Sequence, residues 1–333
     1  MRILVTGGTG FLGRHVIERL RHGNEVVALC RRAQDELGVP VVVGDITDAA
    51  TLAGVAEGCQ ALIHMAGLVS HHPEDAQRLY DLHVRGTENV LAEARRAGVR
   101  RVVHLSTSGT VAVSADPDQI SDERTETPRD IIYRWPYYRT KLIAEEAALE
   151  ASARDLQVVS LNPSWLLGPG DRTGASSRIV RMFLDDQVPA APPGGLSFAD
   201  VRDVAATVET ALYKGRPGSR YLLGSANMTL MAFYERLARL TGKRPPLIKA
   251  PSAIRRALEL FPRFGRDGVG FGFVADRVDV EQACHTWYVD DTRARVELGW
   301  SPRDPTATLR DTVADILEQA SGFRSADGYV SAP

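Results

Sequence analysis

Lysine is scarce in this chain of 333 residues: Lys141, Lys214, Lys243 and Lys249 are the whole supply among 40 Lys and Arg. Positive charge is therefore almost all arginine. It is balanced by 42 Asp and Glu, which leaves a net charge of −2 and a pI near 6.5. So neutral a chain argues against a polyanion-binding surface, and no nucleic acid partner is expected. Cysteine is scarcer still. Cys30, Cys59 and Cys284 are too few and too scattered for a disulfide scaffold or a zinc site. They read as reduced, partly buried thiols of a cytoplasmic protein, and no metal is expected. No apolar run approaches the roughly 18 residues of a membrane span. Arg2-Ile3-Leu4-Val5 already reads as a strand, so no secretion signal is expected. Internal repeats and long low-complexity tracts are absent as well.

What is present is an ordinary globular composition, 44% hydrophobic and 25% charged. Short β-branched runs alternate with helical patterns, the signature of βαβ units and a parallel sheet. Strands are predicted at Ile3–Thr6, Val26–Cys30, Val41–Val43, Ala61–Met65, Arg101–Ser106 and Val158–Asn162. Helices are predicted at Phe11–Arg21, Ala49–Glu57 (capped by Thr47-Asp48), Glu74–Ala97 and Pro136–Ala153. Beyond Pro163 the regularity weakens. Gly168-Pro169-Gly170 and Ala191-Pro192-Pro193-Gly194-Gly195 are loop punctuation. Further helices are expected at Ser177–Asp186, Val201–Tyr213, Leu230–Thr241 and Ala307–Gln319, and Phe264–Phe273 and Ser321–Pro333 read as mobile. The expected plan is an α/β doubly wound parallel sheet over residues 1–163, then a smaller substrate-binding region over 164–333. The chain should return to the core around 198–213.

Gly7-Gly8-Thr9-Gly10-Phe11-Leu12-Gly13 follows a strand and opens a helix, the context of a dinucleotide fingerprint. Glycines permit the tight turn and the close approach of backbone to a pyrophosphate, and the helix N-terminus offers free amides to it. An acidic residue at the end of the second strand would accept from a ribose 2′-hydroxyl. Cys30 stands there instead, followed by Arg31-Arg32, and guanidinium groups suit a 2′-phosphate. NADP(H) is thus favoured over NAD(H). Asp45, before Ile46-Thr47-Asp48, either reaches the adenine amino group or caps the next helix.

Tyr137 and Lys141 lie one helical turn apart in Trp135-Pro136-Tyr137-Tyr138-Arg139-Thr140-Lys141. An ammonium on the same helix face favours the phenolate, a device for moving a proton to or from an alcohol or carbonyl oxygen.

Taken together, these residues resemble the extended short-chain dehydrogenase/reductase family of NAD(P)-dependent epimerases and dehydratases. TGGTGFLG, GDITD, HMAG, HLSTSGTV and YYRTK occur in the family's order and spacing. So do Leu161-Asn162-Pro163-Ser164, Phe198-Ala199-Asp200-Val201 and Glu297-Leu298-Gly299-Trp300. The chain looks most like the dihydroflavonol-reductase-like and hopanoid-associated epimerase-like branches. The resemblance implies a Rossmann fold, Tyr137 as catalytic tyrosine, and Lys141 as holder of the nicotinamide ribose that lowers the tyrosine pKa. It implies a catalytic hydroxyl at Thr107, with Ser108 the neighbouring candidate. Met65, Ala66, Gly67, Pro163 and Ser164 would line the cofactor, and Trp165 and Phe198 the substrate. It also implies a homodimer paired through Glu74–Ala97 and Pro136–Ala153.

Two departures stand out. His83 precedes Val84-Arg85-Gly86-Thr87 where the family usually carries an Asn that supports the lysine; it reads either as a titrating relay or as packing. Ser108-Gly109 replaces the Asp-Glu pair of the dehydratases. The leading expectation is a ketone reductase, or secondary alcohol dehydrogenase, acting on a small molecule. A nucleotide-sugar epimerase is the alternative, with Arg172, Arg178 and Arg181 available for a pyrophosphate, although the basic residue expected just before Phe198-Ala199-Asp200-Val201 is missing. A non-catalytic NADP-sensing regulator on the same fold is the third reading.

Overall fold

The computed structural model describes residues 1–249 and 277–326. Its strands are β1 (Arg2–Thr6), β2 (Glu25–Cys30), β3 (Val41–Val43), β4 (Ala61–His64), β5 (Arg101–Leu105), β6 (Ile120–Ser121) and β7 (Gln157–Pro163). There follow β8 (Trp165–Leu167), β9 (Ala190–Ala191), β10 (Gly195–Asp200), β11 (Ser219–Leu223), β12 (Ala226–Thr229), β13 (Ile248–Lys249) and β14 (Tyr288–Val289). Helices are α1 (Phe11–Leu20), α2 (Ala76–Tyr80), α3 (Gly86–Arg96), α4 (Arg129–Ile132), α5 (Pro136–Glu150) and α6 (Arg178–Leu184). The rest are α7 (Val201–Ala211), α8 (Leu230–Thr241), α9 (Arg277–Ala283), α10 (Thr292–Leu298) and α11 (Pro305–Ala326).

Seven strands form a parallel sheet in the order β11-β7-β5-β4-β1-β2-β3. Side chains alternate between its faces, as the strand period of two requires. Ile3, Val5, Ile63, Val103 and Val159 join one core with Val16, Ile17 and Leu20 of α1 and Val204 and Val208 of α7. Leu4, Leu62, Val102 and Val158 join another with Val90, Leu91 and Ala94 of α3 and Ala148 of α5. Helices on both faces explain why β5 is buried along its whole length. The order reverses between β1 and β4, and ligands of such sheets bind in the crevice beyond the strand ends there.

The second region is built around the sheet β12-β10-β8 and a third core containing Val180, Phe183, Phe233 and Leu237. Its return is more intimate than the expectation at 198–213. Helix α7 packs against α1, and β11, unforeseen in the sequence, completes the edge of the main sheet beside β7.

Three expectations need correction. Ala49–Glu57 is a short 3-10 turn over Ala49–Leu52, because Ala53 leaves helical geometry with ψ 117°. The Thr51 hydroxyl bonds back to the Asp45 and Asp48 carbonyls and closes that turn. The long helix at Glu74–Ala97 is a succession: a 3-10 turn, α2, a wider π turn over Asp81–Arg85, and α3. The π turn carries His83, and such turns recur at functional sites. Finally, α11 runs on through Ser321 to Ala326. Phe264–Phe273 and residues 327–333 lie outside the described residues.

Candidate active site

Two chain segments meet where the sheet order reverses. Gly7 leaves β1 at φ +76°, and a Cβ there would stand 2.6 Å from the amide of Ala66. A Cβ on Gly13 would stand 2.1 Å from the Gly7 carbonyl, so α1 packs directly on the turn. The hydroxyl of Thr6 accepts from the Ala66 amide at 3.2 Å and fixes Met65-Ala66-Gly67 beside the glycine turn. Thr9 and Gly10 are exposed, and Phe11 and Leu12 half-buried. No side chain caps α1 at Gly10. By contrast Asp200 caps α7 and Thr229 caps α8. The open first-turn amides and the partial positive charge there fit a pyrophosphate.

Arg31 and Arg32 stand exposed just past β2 and pair with no carboxylate among the described residues. Asp45 Oδ1 accepts from the Thr47 amide at 2.9 Å and the Thr47 hydroxyl at 2.8 Å, while the cap of the next turn is Asp48. Ile46 is buried, and its carbonyl accepts from Asn89 at 2.9 Å. On the far side, Pro163 ends β7 and Ser164 follows, buried, with an Oγ that finds no hydrogen-bond partner among the described residues.

Helix α5 begins at Pro136, a position where the missing N–H is harmless. Its first turns carry Tyr137 and Lys141. Lys141 is buried, and its Nζ donates to the Leu105 carbonyl at 2.5 Å, at the end of β5. Burial brings the ammonium down to about 8, with Glu145 one turn further on acting in the opposite direction. Burial also pushes the Tyr137 phenol up to about 12, opposite to the lowering expected from Lys141. Desolvation sets the direction of this shift.

Past β5, Thr107 is half-buried and its Oγ1 accepts only a long contact of 3.3 Å from the Gly109 amide. Ser108 is buried at 5% exposure, which leaves Thr107 the more accessible hydroxyl. Gly109 has a steric role: a Cβ there would lie 2.2 Å from Tyr138 Cε1 and 3.1 Å from Trp287. The Glu of a dehydratase has no room at that position. A fully buried carboxylate holds this segment to α5. Glu145 Oε2 accepts from Ser106 at 2.5 Å, Thr110 at 2.8 Å and Asn162 at 2.7 Å, while Oε1 faces Arg220 at 3.0 Å.

His83 is hydrogen-bonded at both ring nitrogens. Its Nε2 accepts from the Leu68 amide at 3.1 Å, and its Nδ1 lies 2.9 Å from the Thr140 hydroxyl. That hydroxyl in turn donates to the Pro136 carbonyl at 2.9 Å. Both ring nitrogens are occupied and neither meets Lys141. Burial and the Lys141 charge take the imidazole down to about 3, so it stays neutral and ties the segment after β4 to α5.

Trp165 is half-buried and donates its indole N–H to the Ser176 carbonyl at 2.9 Å. Phe198 is corrected: it is fully enclosed in the third core, 6.2 Å from the Phe233 ring, because this residue of β10 faces inward. The three candidate pyrophosphate arginines are engaged, Arg172 with Glu36, Arg178 with Asp279, and Arg181 with Ser177 and Gln319. Sequence reading missed Glu145, Asn162, His71 and Asp279. An acidic residue four after Lys141 was the available signal for the first.

The family model described as NAD dependent epimerase/dehydratase family matches residues 3–224. The chain is 33% identical to sterol demethylase protein B of Methylococcus capsulatus over 96% of this chain and 99% of that protein. It is 32% identical to a putative dihydroflavonol 4-reductase of a Synechocystis species, over 94% of this chain and 92% of that protein. The solved structure of gox2253 superposes with a TM-score of 0.82 at 27% identity, covering 95% of this chain and 98% of that one. No described helix is long and apolar enough to cross a membrane.

Proposed function

The chain belongs to the NAD dependent epimerase/dehydratase family, and on that premise we propose that it is an NADP(H)-dependent ketone reductase or secondary alcohol dehydrogenase. The supporting observations are that Lys141 of α5 reaches the end of β5 just before Thr107, and that Asn162 bonds both Glu145 of α5 and the Thr107 carbonyl. His83 also ties α5 to the 66–68 segment packed on the uncapped glycine turn. The nicotinamide, when bound, supplies or takes the hydride. In reduction, the Tyr137 hydroxyl delivers the proton to the substrate oxygen as the carbonyl carbon gains hydride. A phenol held near 12 is present as the acid at neutral pH, the form that delivery needs. Thr107 orients the oxygen against the phenol. Lys141 presents its ammonium to the nicotinamide ribose, and the α1 amides receive the pyrophosphate.

Arg31 and Arg32, exposed and without a carboxylate partner among the described residues, support the 2′-phosphate and hence NADP(H). The engaged Arg172, Arg178 and Arg181 favour a reductase over an epimerase, which would need arginines for a sugar-nucleotide pyrophosphate. The family relatives include a protein named as a reductase, which points the same way. The intact Tyr–Lys pair disfavours a non-catalytic sensor. Ile143, Ala147 and Leu149, half-buried on α5, support a homodimer paired through the α2–α3 succession and α5. Free Cys30 and Cys59 support a reducing, cytoplasmic setting.

Pure protein incubated with NADPH and a panel of ketones tests the reading. Turnover sustains it, and cofactor binding without turnover would make the protein a sensor. Tightly bound NAD(P)⁺ released on denaturation, with sugar-nucleotide interconversion, would make it an epimerase.

A further inference from the structure

Two imidazoles neighbour the Tyr137 ring. His83, its centroid 5.7 Å away, is committed at both nitrogens. His71, 6.5 Å away in the segment between β4 and α2, is not. Its Nδ1 lies 2.5 Å from Asp279 Oδ1, and Asp279 Oδ2 lies 2.8 Å from Arg178. Burial pushes the Asp279 carboxyl up, but the hydrogen bond and charge of His71 and the Arg178 guanidinium hold it below the usual range. The carboxylate is therefore ionised and accepts a hydrogen bond from Nδ1–H, which fixes the ring's direction. Nε2 forms no hydrogen bond among the described residues, and the His71 side chain is still 28% exposed. A carboxylate-anchored imidazole with one idle nitrogen, beside the residue that receives the substrate oxygen, is built to take a second polar atom.

We propose that His71 is a substrate-contacting specificity residue, oriented by Asp279, whose Nε2 binds a second oxygen of the substrate beside the one on Tyr137. The favoured substrates are then 1,3-dioxygenated compounds with a hydroxyl as the second oxygen, β-hydroxy ketones and the matching diols. With ring centroids 6.5 Å apart and hydrogen bonds of about 2.8 Å, both groups are within reach of two oxygens of one small substrate. Oxygens on carbons two apart in a chain fit that reach. With Nδ1–H given to Asp279, Nε2 is left as an acceptor for a substrate hydroxyl. This inference rests on Tyr137 as the group that receives the reacting oxygen.

The test compares wild type, His71→Ala and Asp279→Asn in two ways. Calorimetry on NADP⁺-saturated protein gives the affinities of 1,3-butanediol and 2-butanol, and NADPH turnover gives kcat/KM for 4-hydroxy-2-butanone and 2-butanone. Wild type should favour the doubly oxygenated member of each pair by about 10-fold. His71→Ala should collapse both ratios toward one, with Asp279→Asn between them. Equal ratios in wild type and His71→Ala overturn the proposal. A lowered melting temperature with unchanged ratios also overturns it, since the pair would then be only a latch between the two regions. Discrimination in binding by a protein that turns over no ketone would uphold His71 while removing the reductase reading. Turnover of plain ketones without discrimination would do the reverse.

Discussion

Asn162 donates both to Glu145 Oε2, at 2.7 Å, and to the Thr107 carbonyl, at 3.1 Å. One amide thus ties the helix of Tyr137 and Lys141 to the segment of the accessible hydroxyl. Ser106 and Thr110, on either side of Thr107, reach the same carboxylate oxygen. Removing the acceptor strands three donors and leaves Arg220 without its partner. Glu145→Ala should cost about 3 kcal/mol of stability, and the isosteric Glu145→Gln distinctly less. Urea unfolding checks the order; equal midpoints would remove Glu145 from this role.

Tyr137→Phe should reduce turnover at least about 1000-fold while NADPH affinity stays within about threefold, because only the proton-bearing oxygen is lost. Steady-state kinetics and fluorescence titration of the cofactor measure the two effects separately. Retained turnover would take Tyr137 out of proton transfer.

Arg31 and Arg32 pair with no carboxylate among the described residues, and the proposed 2′-phosphate contact is tested there. Arg31→Ala should weaken NADPH by about 10-fold or more and leave NADH little changed, the size expected for a charge-assisted contact. A loss shared equally by the two cofactors would point away from the 2′-phosphate.

His64 and His83 are held near 3 by burial, and buried His104 lies well below 6.5. In the unfolded chain each binds a proton near 6.5, which the folded protein refuses. The stability present above pH 6.5 is therefore lost as pH falls from 6.5 toward 3, at up to about 1.4 kcal/mol per pH unit for each histidine. His83→Gln should flatten the fall of the urea midpoint between pH 6.5 and 4. An unchanged slope would mean that His83 protonates within the fold, and the relay would regain its standing.

Gly109→Ala places a methyl 2.2 Å from the Tyr138 ring, against the stack of Tyr138, Trp287 and Trp135. Overpacking of this kind should destabilise by about 1–3 kcal/mol and shift the near-ultraviolet circular dichroism of the stack. A variant with wild-type stability and spectrum would show that the ring moves aside freely.

Tyr137 with Lys141, the glycine turn, and the βαβ alternation were legible because each is local. A spacing of four residues selects one helix face, and a strand followed by glycines and a helix defines its own turn. The candidate site became illegible wherever partners are distant in sequence. His71 and Asp279 are separated by 208 positions and nothing local couples them. His83 read equally well as relay or packing until Leu68 and Thr140 claimed both nitrogens. Phe198 is apolar on any reading, and only the packing of β10 against Phe233 turned it inward.

By itself, then, the sequence determined the parallel α/β architecture, the nucleotide turn and the placement of phenol and ammonium on one helix. The tertiary structure decided which hydroxyl past β5 is accessible, which arginines are already paired, and which histidine beside Tyr137 has a nitrogen without a partner among the described residues. Spacing along a chain sets the direction of a side chain on its own element, whereas its partner is chosen by how distant elements pack.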